Sequence, residues 1–267
     1  MRHQRALIAT LTATVTALAL AACGSSDDDA ASGAGSGLGL VEDGTLTVAT
    51  EGTYRPFTFH DASGELVGYD VEVAEAVAEE LGLEIEFAET QWDAIFAGLD
   101  AGRFDTIANQ VSINPEREEQ YVFSQPYTVS RGVVVVPEGD TSVSSFADLD
   151  GLTAAQSLTS NWRTLAEESG ATVEPVEGWA QAVALLEQGR VQATINDSLT
   201  VLDYLKENPD APIQVAAETE ETSESAFVVT PEREALAEAI TGALETLAAD
   251  GTLTELSEKY FGDDVTQ

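Results

Sequence analysis

The sequence predicts an α/β protein of two lobes joined by two crossover strands that form a hinge. Three observations carry this reading. From Thr45 onward, short β-rich runs alternate with stretches of helical periodicity. The alternation pauses near Arg131 and restarts after Asp150 with the same order of elements. Two valine-rich runs, "RGVVVVPEG" (131–139) and "ESAFVVTPER" (224–233), bracket the second round and read as paired crossovers.

In order along the chain, Arg2 and Arg5 precede an apolar stretch from Ala6 to Ala22 that ends in "LAAC" (20–23). Threonines at 10, 12, 14 and 16 make it a poor membrane span, and residues 1–22 read as a signal peptide. The ending resembles a bacterial lipoprotein signal. That resemblance implies that Cys23, the only cysteine, becomes the first residue of the mature chain and carries lipid; a buried free thiol is the competing reading. Residues 23–40, rich in Gly, Ser and Asp, have little to bury and read as a flexible tether.

The first unit runs as a strand "TLTVAT", a helix "GYDVEVAEAVAEELG", a strand "LEIEFAE", a helix "WDAIFAGLDAG" and a strand "RFDTIAN". In the first helix Asp70 is the expected cap, Val73, Val77 and Leu81 share a face, and Gly82 is the stop. The second unit repeats the scheme with "LTAAQ", "SNWRTLAEESG", "ATVEPV", "WAQAVALLEQG" and "RVQATIND". Setting Trp92 over Trp179 aligns eighteen residues without a gap, six of them identical. The closing "PEREALAEAITGALETLAADG" places Leu236, Ile240, Leu244 and Leu247 at helical spacing and is expected to return to the first lobe. The lobes are thus 41–131 with 226–267, and 132–225. Two sequential domains with a helical tail are the plainer alternative.

Asp and Glu number 48 against 11 Lys and Arg, a net charge of −37, so no nucleic-acid partner held through phosphates is expected. Enzymes of the Ser-His-Asp or Cys-His kind lack parts, because the only histidines are His3 in the leader and His60 in a polar turn. There is no zinc-ligand cluster and no glycine-rich phosphate loop, and no cofactor is expected.

Ligands of open, mostly parallel sheets bind beyond the carboxyl ends of the strands. The residues there are Glu51, Tyr54, Trp92, Asn109, Gln110, Ser112 and Arg117 in the first lobe, and Thr159, Ser160, Asn161 and Asp197 in the second. In "NQVSINPER", Asn114 is a plausible N-cap, Pro115 suits the first helical position, and Arg117 opposes the helix dipole. An anion brought to that end by free N–H groups and the guanidinium removes the conflict, and a carboxylate fits. Surface pairing of Arg117 with Glu116 or Glu119 is the bland reading. For Asp197 the choice lies between binding an ammonium and capping the helix that follows. Tyr54 and Trp92 are either ligand contacts or core aromatics, whereas Trp162 and Trp179 read as helix packing.

The combination of "TEGTYRPFTFHDASGELVGYDVEVA", "GRFDTIANQVSINPEREEQYVFSQPYTVS", "GRVQATIND" and "DGTLTELSEKYFG" closely resembles the extracytoplasmic amino-acid-binding proteins of ABC importers, the solute-binding family 3 group. Within it, "TQWDAIFAGLD", "ANQVSINPER", "AAQSLTSN" and "LSEKYFGDDV" are most similar to the cystine-binding branch. The resemblance implies a periplasmic-binding-protein-like fold whose lobes close on a free amino acid, which is then delivered to a permease. Arg117 would grip the α-carboxylate with Ser112 and the Thr159–Ser160 loop, and Asp197 the α-ammonium, aided by groups near Asn109. Tyr54 and Trp92 would enclose the side chain, with Glu51 beside it. Asn109–Gln110 and "SLTSN" depart from the commoner family residues, which bears on specificity. The implied protein is a monomer held to the extracytoplasmic face of the cell membrane by its N-terminal lipid. A ligand sensor for a signalling system, and a dehydratase on the same fold, are the rival functions.

Overall fold

The computed structural model describes residues 37–266, so the expected signal peptide and Cys23 lie outside the described residues. Two five-stranded mixed sheets form the two lobes. In the first, the strands Glu84–Glu89, Thr45–Thr50 and Thr106–Ile107 run parallel, followed by Val228–Val229 and Val122–Phe123, which pair antiparallel. In the second, Thr172–Pro175, Thr153–Gln156 and Ala193–Asp197 run parallel, followed by Gly132–Pro137 and Ile213–Glu218 with antiparallel pairings.

Strand alternation explains how each sheet is covered. Leu46 and Val48 face the helices Tyr69–Glu80 and Glu234–Asp250 through Val73, Val77, Leu236, Ile240 and Leu244. Ala49, on the opposite face, meets Ile95 and Leu99 of the helix Trp92–Asp100. In the second lobe Val133 and Val135 pack on Val183 and Leu186 of the helix Trp179–Glu187. Val134 and Val136 pack on Leu149, and on Ala166 of the helix Asn161–Glu168. A strand covered on both faces needs apolar side chains at every position, which is why this one reads as an unbroken valine run.

The valine runs therefore do not pair with each other. Gly132–Pro137 belongs to the second sheet and Val228–Val229 to the first. The chain crosses instead through a separate two-stranded antiparallel ribbon, Thr128–Ser130 with Ser223–Ser225. Because Val228–Val229 lies between strands of the first sheet and the helices after it share that core, the C-terminal segment is no appended tail.

Two local expectations change. The first helix begins at Tyr69 after Gly68, and Asp70 is not its cap; this carboxylate is fully buried and turned toward Gln110. The segment read as a polar turn around His60 is a three-stranded meander of Thr53–Tyr54, Thr58–His60 and Leu66–Val67. Gly68, with φ 137°, permits the approach to Phe57, whose carbonyl oxygen would lie 2.1 Å from any Cβ at this position.

Leu244 is fully buried between the first sheet and its helices. Leu244→Ala is expected to lower unfolding stability by about 2–5 kcal/mol in a denaturant titration, from lost transfer free energy and the cavity left behind.

Candidate ligand cleft

The residues singled out at the strand ends lie along the seam between the lobes. Arg117 sits in the short helix Pro115–Glu118, capped by Asn114, whose side chain accepts the Arg117 amide at 2.9 Å. Its guanidinium is only 7% exposed and donates to the Ser112 carbonyl oxygen at 2.9 Å. The rings of Trp92 and Phe96, packed edge-on against each other, lie together beside it, with centroids at 5.4 and 5.2 Å. Among the described residues no carboxylate pairs with it, so the surface-pairing reading fails. Burial draws its pKa down to about 10.

Arg117, Thr159, Ser160 and Asn161 line a cavity of about 630 Å³ open to solvent. A smaller void of about 60 Å³ lies between Glu51, Tyr54, Trp92, Asn109 and Gln110 of the first lobe and Ser160, Asn161 and Asn196 of the second. Ser112 lines a third cavity. Asn161 belongs to the walls of all three. Asp197 borders none of them, and sits directly behind Asn196. Trp162 and Trp179 also border the inner void, which their reading as helix packing missed. None of these walls carries sulfur, because the only sulfur-bearing residues of the chain are Met1 and Cys23.

Polar groups in this region are closely tied. Asn109 accepts the Glu51 amide at 2.8 Å and donates to the Glu51 carboxylate at 2.8 Å. Gln110 has φ 51°, the left-handed region that side chains other than glycine rarely enter. Asp70 holds it there, accepting both its amide N–H and its side-chain Nε2, each at 2.7 Å. Asp197 accepts the Leu199 amide at 2.8 Å as the N-cap of the helix Ser198–Glu207, and also accepts the Ser130 hydroxyl. The capping reading of Asp197 thus holds. The Tyr54 hydroxyl donates across the seam to Asn196 at 2.8 Å. Thr159 is turned toward Asp93 of the opposite lobe, and Ser160 caps its own helix.

Two buried polar atoms of residues that line the inner void, Trp92 Nε1 and Gln110 Oε1, have no hydrogen-bond partner among the described residues. Burial pushes the carboxyl pKa of Glu51 up to about 7, of Asp70 to about 7 and of Asp197 to about 6. Sequence reasoning missed Asp70 and Asn196 as parts of this network. The polar pair Asn196–Asp197 closing the strand Ala193–Asp197 was the available signal for one of them.

Residues 46–263 match the family described as bacterial extracellular solute-binding proteins, family 3. A probable amino-acid ABC transporter-binding protein of Haemophilus influenzae is 51% identical, over 84% of this chain and 87% of that protein. The L-cystine-binding protein TcyA of Bacillus subtilis is 48% identical, over 84% of each. The structure of the L-cystine solute receptor of Neisseria gonorrhoeae in the unliganded open conformation is 48% identical, covers 84% of this chain and 95% of that one, and superposes with a TM-score of 0.58.

Between pH 4 and 7 the three raised carboxyls hold more protons folded than unfolded, because unfolded carboxyls titrate near 4. Their contribution is therefore complete at the acid end and is lost as pH rises through 6 to 7. The thermal midpoint of the ligand-free protein should rise on acidification from pH 8 to pH 5. A midpoint that falls over this interval would contradict the burial of these groups.

Proposed function

Because the chain belongs to the bacterial extracellular solute-binding proteins of family 3, we propose that it captures a free amino acid, L-cystine, between its lobes and delivers it to the permease of an ABC importer. Family membership sets it among solute-binding proteins rather than enzymes. The observation that carries the reading is Arg117, a buried guanidinium lying against a pair of aromatic rings, with no carboxylate paired to it among the described residues. A buried charge is costly without a counter-charge, and a ligand α-carboxylate supplies one.

In this reading Arg117 and Ser112 hold the carboxylate, the Thr159–Ser160 loop closes over it, and Asp197 takes the α-ammonium. Tyr54 and Trp92 enclose the side chain beside Glu51, Asn109, Gln110 and Asn161. The unpartnered Trp92 Nε1 and Gln110 Oε1 support a polar cargo. The lobes, 41–131 with 226–267 and 132–225, swing about the ribbon Thr128–Ser130 and Ser223–Ser225. Bonds across the seam here, set beside an open relative that superposes at only 0.58 despite 48% identity, support such a swing. A ligand that contacts both lobes favours the closed arrangement by its differential affinity for it. Lipid on Cys23 keeps the protein at the extracytoplasmic face of the membrane, where it works as a monomer.

Calorimetry on residues 24–267 with L-cystine and the common amino acids tests the reading. L-Cystine should bind, and Arg117→Ala or Asp197→Ala should each cost about 2–5 kcal/mol of binding free energy. Absence of any binding, or binding that survives both substitutions, overturns it.

The ammonium contact also sets a pH dependence. With the Asp197 pKa at about 6 in the free protein, the carboxylate is ionised above that value and must lose a proton to bind below it. Affinity should fall from pH 7 towards pH 5, with proton release visible as a heat that varies with the buffer.

A further inference from the structure

The N-terminal turn of the helix Trp92–Asp100 faces two ways. Trp92 and Phe96 lie against Arg117 within their own lobe, whereas the side chains of Gln91 and Asp93 reach the other lobe. Asp93 Oδ1 accepts the Thr159 amide at 3.1 Å and the Thr159 hydroxyl at 2.9 Å, and Oδ2 accepts the Leu158 amide at 3.4 Å. Gln91 Nε2 donates to the Glu177 carboxylate. Among the described residues Asp93 pairs with no cation, so these donors are what serve its charge.

The loop that Asp93 holds leads directly into Ser160 and Asn161, which border both the Arg117 cavity and the inner void. From the far side, Arg163 Nη1 donates to the Leu158 carbonyl oxygen at 2.8 Å, so the loop is gripped from both lobes. The Thr159 donors expected for a ligand carboxylate are engaged by a carboxylate of the protein itself. That leaves the ligand carboxylate to Arg117 and gives Thr159 a different task.

We propose that Asp93 is a positioning residue for ligand capture, clasping the Leu158–Thr159 loop to the first lobe so that Ser160 and Asn161 face the cleft and the lobes remain closed without ligand. The part concerning ligand rests on the function proposed above; the clasp does not. A contact present in the closed form alone shifts the open-closed equilibrium whether or not the cleft is filled, and it slows ligand escape without touching the ligand. Both partners are exposed, so the effect is moderate, about three- to tenfold.

The test uses residues 24–267 with spin labels at Glu79→Cys and Gln188→Cys, one exposed position in each lobe. Without ligand, the parent distance distribution should contain the closed separation, and Asp93→Ala and Asp93→Asn should move it to longer distances. With L-cystine, the dissociation rate should rise about three- to tenfold, and the association rate should not fall. Thr159→Val should add little in the Asp93→Ala background, since both substitutions remove one contact. An unchanged thermal midpoint separates these effects from misfolding, which an exposed site should spare.

A ligand-free parent already at the open separation, distributions that Asp93→Ala leaves in place, or additive effects of the two substitutions would each overturn the clasp. If L-cystine fails to bind any of these proteins, the cargo assignment fails while the ligand-free distances still decide the clasp.

Discussion

The cleft is organised around a cation that the protein buries without neutralising. Arg117 lies at the start of a short helix, where the peptide dipole already disfavours it, and its side chain is largely buried, lying against two packed rings at the edge of an open cavity. One carbonyl oxygen, that of Ser112, compensates it in part. In a chain with 48 acidic residues, a carboxylate partner would be easy to supply. The fold keeps them away. Glu116, Glu118 and Glu119 surround Arg117 in sequence but leave its guanidinium unpaired. The ring pair shields the charge on one side, so the helix that carries Trp92 and Phe96 shapes the surroundings of the guanidinium.

Opposite charges in the cleft are managed differently. The half-buried Glu51 and the buried Asp70 and Asp197 rely on neutral donors: Asn109 for the first, Gln110 for the second, Ser130 and a helix amide for the third. Neutral donors satisfy hydrogen bonding without removing the charge, which leaves these groups free to respond to a cation or a proton. Asp70 spends its capacity on structure, holding Gln110 in a backbone conformation that it would not otherwise choose. Asp197 is occupied on both carboxylate oxygens, one capping the helix and the other meeting Ser130.

Much of the fold was legible in the sequence because it depends on local periodicity. The two rounds of strands and helices, the stop at Gly82, the cap at Asn114 and the apolar stripe through Leu236, Ile240 and Leu244 are written in neighbours three or four residues apart. What escaped depends on distant partners. Asp70 has the spacing of a cap, yet a residue forty positions away claims its carboxylate. The valine runs look alike in sequence, but one has both faces covered in the second sheet and the other returns to the first. Polar residues at strand ends located the cleft. Which cavity each one borders depends on how the lobes meet, so Thr159 was assigned to a ligand when its donors go to Asp93.

The sulfur-free walls have a chemical consequence for a disulfide-containing cargo. Thiol–disulfide exchange begins with attack by a thiolate, and a cleft without cysteine offers none. The S–S bond of a captured ligand therefore cannot be opened, or trapped as a mixed disulfide, by the residues that hold it. Reduction becomes a matter for whatever lies beyond the carrier.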